Sequence, residues 1–141
     1  MAQRDGVNVD LKKLDVDIEK WSDEMGIEVN LVVKKLAFDV FSDIVQSTPV
    51  LTGRAKNNWN ISVGSVDRST TKEGGNSASV ESNQKSKAAI ALAQIRTFPF
   101  GVIWISNSLP YITELNEGSS NKAPAQFVER AIANNLAAFK S

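Results

Sequence analysis

"TPVLTGRAKNNW", residues 48–59, turns the chain from its longest helical pattern into a strand pattern. Pro49 disfavours helical geometry at the residue before it, so the preceding helix is predicted to stop at Thr48. Thr52 is suited to cap the short helix that follows, and Gly53 supplies an unhindered turn. This stretch is therefore predicted to be a structural corner.

Beyond the corner, Trp59, Ile61 and Val63 alternate with small polar residues, which is the period of a half-buried strand. This pattern places Trp59 in the core. A phosphate-binding loop is disfavoured, because the stretch has a single glycine and no Lys-Ser/Thr pair. A nucleic-acid contact is the alternative, since the tryptophan ring stands beside side chains that can donate to phosphate: Arg54, Lys56, Asn57 and Asn58.

Two helices are predicted before the corner. The first lies within residues 1–27 and ends at Gly26, a suitable C-cap. Its apolar residues recur at spacings of three and four: Leu11, Leu14, Ile18, Trp21 and Met25. The second helix runs from about Glu28 to Ser47, and its apolar stripe is wide enough to pack on two elements.

The residues after the corner strand change character. Residues 67–87 are almost entirely polar and are predicted to be a mobile loop, because they bury too little apolar surface to offset their ordering entropy. A hairpin extended through "SASVES", residues 77–82, is the weaker alternative. An Ala-rich helix is predicted to end before Pro99. "GVIWISNS", residues 101–108, is the strongest strand, and a helical turn and a last helix from Pro124 follow it.

The predicted fold is α+β, in a single domain of residues 1–141. Long N-terminal helices pack on a small antiparallel sheet, with a C-terminal helix and the long polar loop. Only two strands are convincing, and an isolated two-stranded hairpin is marginal in water. The sheet is therefore expected to need helices across one face. Strands from a neighbouring copy are a second way to complete it, which favours an oligomer.

Composition excludes several kinds of site. The chain has no His and no Cys, which excludes the usual zinc sites, thiol nucleophiles and His-based triads, and no cofactor is expected. Residues 1–47 carry a net charge of −4 and residues 48–141 a net charge of +4, so copies of the chain can stack head to tail. No apolar run approaches the ~20 residues of a membrane span, and no signal core precedes the first helix. A soluble protein made in the cytoplasm is expected.

Carboxylates and tryptophans each have a structural and a functional interpretation. Glu114 and Glu117 lie three residues apart and could act as the acid and base of a small hydrolase. Exposed helix-end glutamates are the simpler interpretation. Asp39 and Asp43 are interpreted as a solvated helix face. The tryptophans lie on apolar stripes and are assigned to the core or to a subunit interface: Trp21, Trp59 and Trp104.

Two separated blocks of sequence carry a shared pattern. The first block is the corner, and the second is "IWISNSLPYITELNEGSSNKAPAQFVERAI", residues 103–132. Together they resemble the tail-completion, or head–tail joining, proteins of long-tailed bacteriophages over about residues 28–133. Leu51 and Ile112 stand where Asp and Ala are common in that family. The matching positions are Thr48, Pro49, Val50, Thr52, Gly53, Lys56, Asn58, Trp59, Asn107, Tyr111, Leu115, Glu117, Gly118, Ala123 and Pro124.

The resemblance implies a structural virion protein without catalytic activity. It implies a homo-oligomeric ring, usually six-fold, at the head-proximal end of the tail, in contact with neighbouring neck and tail-tube proteins. Tail terminators and head-closure proteins are related alternatives, and weak contact with DNA in the lumen is compatible with a neck ring. A nucleic-acid-binding accessory protein is the rival function, carried by Arg54, Lys56, Arg68, Lys72, Lys85 and Lys87.

Overall fold

A computed structural model describes residues 6–10, 29–50, 53–95, 102–117 and 126–140. The fold is α+β, as the sequence predicts. Within these ranges the helices are α1 Val29–Ser47, α2 Arg54–Asn57, α3 Ser77–Ala93, α4 Ile112–Asn116 and α5 Phe127–Lys140. The strands are β1 Val7–Asp10, β2 Asn60–Val63 and β3 Ile103–Asn107.

The three strands form an antiparallel sheet in the order β1-β3-β2. β3, the strongest predicted strand, is the central one, and β2 starts one residue after Trp59 as the alternation predicts. The prediction of only two strands was wrong, because "VNVD" at Val7–Asp10 supplies a third from the same chain. The sheet therefore has three strands without a neighbouring copy, and strand count is no longer an argument for an oligomer.

One face of the sheet belongs to the hydrophobic core. Ile61 pairs with Ile105 in the register, so their side chains lie on the same face, and Ile103 lies two residues along on that face. All three are buried together with apolar residues of α1, α3 and α5. The opposite face carries Asn60, which pairs with Ser106, and both are buried although polar.

α1 is the central helix, and the wide stripe predicted for it is confirmed. It packs against both α3 and α5. Its buried side chains are Val32, Val33, Leu36, Ala37, Val40, Phe41, Ile44 and Val45. The helix ends at Ser47, one residue before Thr48, as Pro49 predicts. Of the helix predicted within residues 1–27, only residues 6–10 are described, and there the prediction was wrong, because Val7–Asp10 form β1.

The polar segment after β2 differs from its prediction. A loop throughout residues 67–87 was wrong, because α3 begins at Ser77 and joins the predicted Ala-rich helix without a break. The hairpin through residues 77–82 was wrong for the same reason. Asn76 caps α3, since its side chain accepts a hydrogen bond from the Ser79 amide. One narrow stripe of α3 is buried: Val80, Gln84, Ala88 and Leu92.

The C-terminal part follows the predicted order. α4 is the predicted helical turn, and α5 is described from Phe127, while Pro124 lies outside the described residues. Phe127, Val128 and Ala131 are buried, and Ile132 and Leu136 pack on the core from its margin. In the part of the chain that the structure describes, no helix has the length and apolar composition that crossing a bilayer requires.

Candidate functional site at the helix-to-sheet corner

The corner, residues 48–59, is closed by a hydrogen bond between its first and last residues. Trp59 has no solvent exposure, which confirms the core position predicted for it. Its Nε1 donates to Thr48 Oγ1 over 2.8 Å, and that hydroxyl donates to the Ile44 carbonyl over 2.7 Å. The last turn of α1 and the entry to β2 are therefore joined through one buried hydroxyl, and Pro49 beside it is also buried.

Gly53 has the role of turn residue that the sequence predicts. Its φ of +81° is a left-handed conformation, and a Cβ there would overlap the Gly75 carbonyl oxygen. The N-cap position of α2 is occupied by Gly53, one residue after the Thr52 that was predicted to cap the helix. Thr52 itself lies outside the described residues.

Lys56 is buried at the meeting point of three helices. Its Nζ donates to the Gln46 carbonyl (3.2 Å), to Ser77 Oγ (2.9 Å) and to Glu81 Oε1 (2.7 Å). The Lys56 side chain is 3% exposed and that of Glu81 27% exposed. The hydrogen bond from Lys56 lowers the pKa of Glu81, against partial burial that raises it. This ion pair therefore holds the starts of α2 and α3 against the end of α1.

Asn58 binds the main chain of the segment between β2 and α3. We call residues 66–75 the strap. The Asn58 side chain accepts from the Thr71 amide (2.8 Å) and donates to the Thr71 carbonyl (2.9 Å). It also donates to the Arg54 carbonyl within α2 (2.7 Å). Part of the predicted mobile loop is thus bonded directly to the corner.

Asn60 and Lys87 extend this polar contact along β2. Asn60 Nδ2 donates to the carbonyls of Asp67 (3.4 Å) and Ser69 (3.0 Å), while Lys87 Nζ donates to Asn60 Oδ1 (3.2 Å) and to the Trp59 carbonyl (2.8 Å). Although Lys87 is exposed as a residue, partial burial of its ammonium group lowers its pKa, and Asp67 opposes this effect. Hydrogen bonds from the Ser69 hydroxyl and amide lower the pKa of Asp67.

Asn107 brings the second sequence block to the corner. Its Nδ2 donates to the Ala55 carbonyl of α2 (3.0 Å), and its Oδ1 accepts from the Leu109 amide (3.1 Å). Tyr111 and Leu115 of the same block are half-buried against the core. The two sequence blocks therefore meet in space, although about fifty residues separate Ala55 from Asn107.

Asn116 fixes α4 to the start of α5. Its side chain accepts from the Val128 amide (2.9 Å) and donates to the Glu129 carboxylate (3.0 Å). Glu117 is exposed at the C-cap of α4. Gly118, like Pro124, lies outside the described residues.

Three of the six basic residues assigned to the nucleic-acid alternative have internal bonds. Lys56 and Lys87 are engaged as described above, and Arg54 Nε donates to the Thr71 carbonyl (3.3 Å). The other three are exposed: Arg68, Lys72 and Lys85. The cationic side chains of the corner therefore bind within the fold. This leaves fewer basic side chains for the phosphate contacts that the nucleic-acid alternative requires.

The candidate acid and base, Glu114 and Glu117, are both exposed, as the simpler interpretation predicts. Asp39 pairs with Lys35 on an exposed face, but Asp43 accepts a hydrogen bond from Asn135 of α5 (3.0 Å), so a solvated role was wrong for Asp43.

Of the other two tryptophans, Trp104 is half-buried and Trp21 lies outside the described residues. No group of three or more metal-ligating side chains occurs within the described ranges.

The ion pair of Lys56 and Glu81 makes stability depend on acid pH. The pKa of Glu81 in the folded chain lies below its ordinary value of 4.5, so the unfolded chain takes up a proton first as pH falls. The contribution is full above that value and is lost as pH falls through the folded-state pKa. Urea unfolding between pH 3 and 7 should therefore show a shallower acid loss for Glu81→Gln than for wild type. The exposed Glu114→Gln is the control, and an unchanged acid loss in Glu81→Gln would contradict the assignment.

Comparison of the chain with protein-family models, with curated proteins and with solved structures finds no match.

Proposed function

We propose that this chain is a structural protein of a bacteriophage virion that completes the head-proximal end of the tail and joins it to the head. The observation that carries the proposal is the bond between Asn107 and the Ala55 carbonyl. The pattern resembling the tail-completion family is split between two blocks, and this bond makes them one structural unit. The matched residues of the first block that build the corner include Thr48, Gly53 and Trp59, and Asn107 is the matched residue of the second block that bonds to it.

The proposed partners are further copies of the chain and the flanking rings. The resemblance favours a ring of six copies, with the neck and tail-tube proteins above and below it. The opposite net charges of residues 1–47 and 48–141 support head-to-tail contacts between copies. Weak contact with DNA in the lumen fits the exposed Arg68, Lys72 and Lys85.

The proposed role is one of binding without catalysis. The chain would be made in the host cytoplasm and would then become part of the virion. The packed corner, which commits its cations and amides to internal bonds, suits a rigid element on which other proteins assemble.

Inactivating the gene in its phage tests the proposal. Electron microscopy of the lysate should show full heads and finished tails that lie unjoined, and wild-type protein supplied from a plasmid should restore joined particles. Native mass spectrometry of the purified full chain should show a closed ring or a monomer that assembles only with tails. Intact infectious particles without the gene product would refute the proposal, as would its absence from purified virions.

The same micrographs separate the related neck roles. Tails of uncontrolled length would assign the chain as a tail terminator, whereas emptied heads would assign it as a head-closure protein. Salt-dependent binding to DNA by the isolated chain, with normal particles in the mutant lysate, would favour the nucleic-acid-binding alternative.

A further inference from the structure

The strap reaches across the corner without forming a helix or a strand. Its sequence is "VDRSTTKEGG", and its only large apolar side chain is Val66. We infer that the strap opens as one unit while the helices and the sheet stay folded, and that Asn58 holds it closed.

Asn58 is identified as the residue that holds the strap closed by its hydrogen bonds to Thr71. Thr71 is held through both its amide and its carbonyl by the single side chain of Asn58, at 2.8 and 2.9 Å. The neighbouring bonds are longer, at 3.3 Å from Arg54 to Thr71 and 3.3 Å from Asn57 to Glu73. Asn58 therefore makes the two shortest hydrogen bonds to Thr71, while Ser106 and Asn60 bind Asp67 and Ser69 nearer the start of the strap.

Weak apolar anchorage makes local opening accessible. Arg68, Ser69 and Thr70 are exposed, and so are the residues from Lys72 to Gly75. Segments with few buried apolar contacts open at much lower free energy than the core that carries them. Releasing the strap therefore breaks polar contacts that water can replace.

Internal bonds keep the strap in one piece. Asp67 Oδ1 accepts from the Ser69 amide (2.9 Å) and hydroxyl (2.6 Å), and Thr71 Oγ1 accepts from the Glu73 amide (3.1 Å). These bonds do not involve the corner, so they survive opening. The strap is thus expected to move as a unit.

Both ends of the strap suit a hinge. Gly64 lies before it with φ +95°, and Gly75 ends it with φ +142°, conformations that other residues rarely adopt. The first turn of α3 does not need the closed strap, because Asn76, which follows the strap, caps the helix. Opening therefore leaves the secondary structure on either side intact.

Opening would uncover side chains that bind the main chain of the strap in the closed state. Asn60 and Ser106 lie side by side on the sheet, and both donate to the Asp67 carbonyl in the closed state. With Asn58, two residues before Asn60, they are amide and hydroxyl groups that bind the closed strap. The closed strap thus shields a polar surface of the sheet.

Residue-resolved amide hydrogen exchange, measured by NMR on the full chain, tests whether the strap opens locally, with the Thr71 amide as reporter. In wild type this amide should exchange at least tenfold faster than the slowest amides of β3. Asn58→Ala should accelerate it by roughly a further tenfold and leave β3 and α1 unchanged. Asn83→Ala, at an exposed asparagine of α3, is the matched control and should change neither.

Each other result overturns the inference. Equal exchange of Thr71 and β3 in wild type would make the strap part of the cooperative core. Unchanged exchange of the Thr71 amide in Asn58→Ala would show that Asn58 does not hold the strap closed. Equal acceleration of exchange in β3 would show that the substitution acts on the core. Should Asn58→Ala fail to fold, the wild-type comparison still decides whether the strap opens locally. Asn57→Ala, which deletes only the bond to Glu73, then tests its attachment by a smaller acceleration.

Discussion

Trp59→Ala is expected to lower the free energy of unfolding by about 3–5 kcal/mol. The ring is fully buried among the core residues of α1 and the sheet, so its removal leaves a large cavity. The substitution also deletes the 2.8 Å bond to Thr48, which joins the end of α1 to the entry of β2. Urea unfolding followed by circular dichroism measures the loss.

Two variants separate the causes of this loss. Trp59→Phe keeps most of the ring volume but loses the bond, so it should cost less than the alanine variant. Trp104→Ala removes a ring of the same size from a half-buried position and should also cost less. A Trp59→Ala variant as stable as Trp104→Ala would show that the corner does not depend on the buried ring.

Gly53→Ala is expected to cost about 2–4 kcal/mol, the second large effect. A left-handed φ of +81° strains any residue with a Cβ. The added carbon would also overlap the Gly75 carbonyl oxygen and lie 2.9 Å from the Gly75 nitrogen, so main chain would have to move. Thermal and urea unfolding of the full-length variant measure the combined cost.

Gly64→Ala is the matched control for Gly53→Ala. Its φ of +95° imposes a similar backbone strain, but a Cβ there would meet nothing within 4 Å. It should cost only about 1–2 kcal/mol. The difference between the two variants isolates the close approach of the Gly53 and Gly75 main chains. Equal costs would mean that this approach relaxes freely.

The sequence was sufficient for elements with strong local signals. The period of apolar residues predicted α1, Pro49 predicted its end, and the alternation from Trp59 predicted β2. Consecutive large apolar residues predicted β3 as a buried strand. The corner was predicted as a turn at Gly53 with Trp59 inside, because both are local properties of one short stretch.

The remaining features depend on contacts between distant residues. "VNVD" is too short for its alternation to identify β1, which becomes a strand only by pairing with β3. The first half of α3 has Val80 as its one large apolar residue, so composition predicted a loop; Asn76 ahead of "SASVES" was the capping signal for a helix start. The burial of Lys56 was equally hidden, since its partners Gln46 and Glu81 lie ten and twenty-five positions away.

β1 and β3 are separated by more than ninety residues, whereas β2 and β3 are separated by about forty. Pairing at such a separation raises the contact order, and closing the longer loop carries the greater entropy cost. We expect the two-stranded ribbon of β2 and β3 to form first and β1 to join it afterwards. Weakening of β1 would then act mainly by accelerating unfolding, so this strand governs the lifetime of the folded state more than its rate of formation.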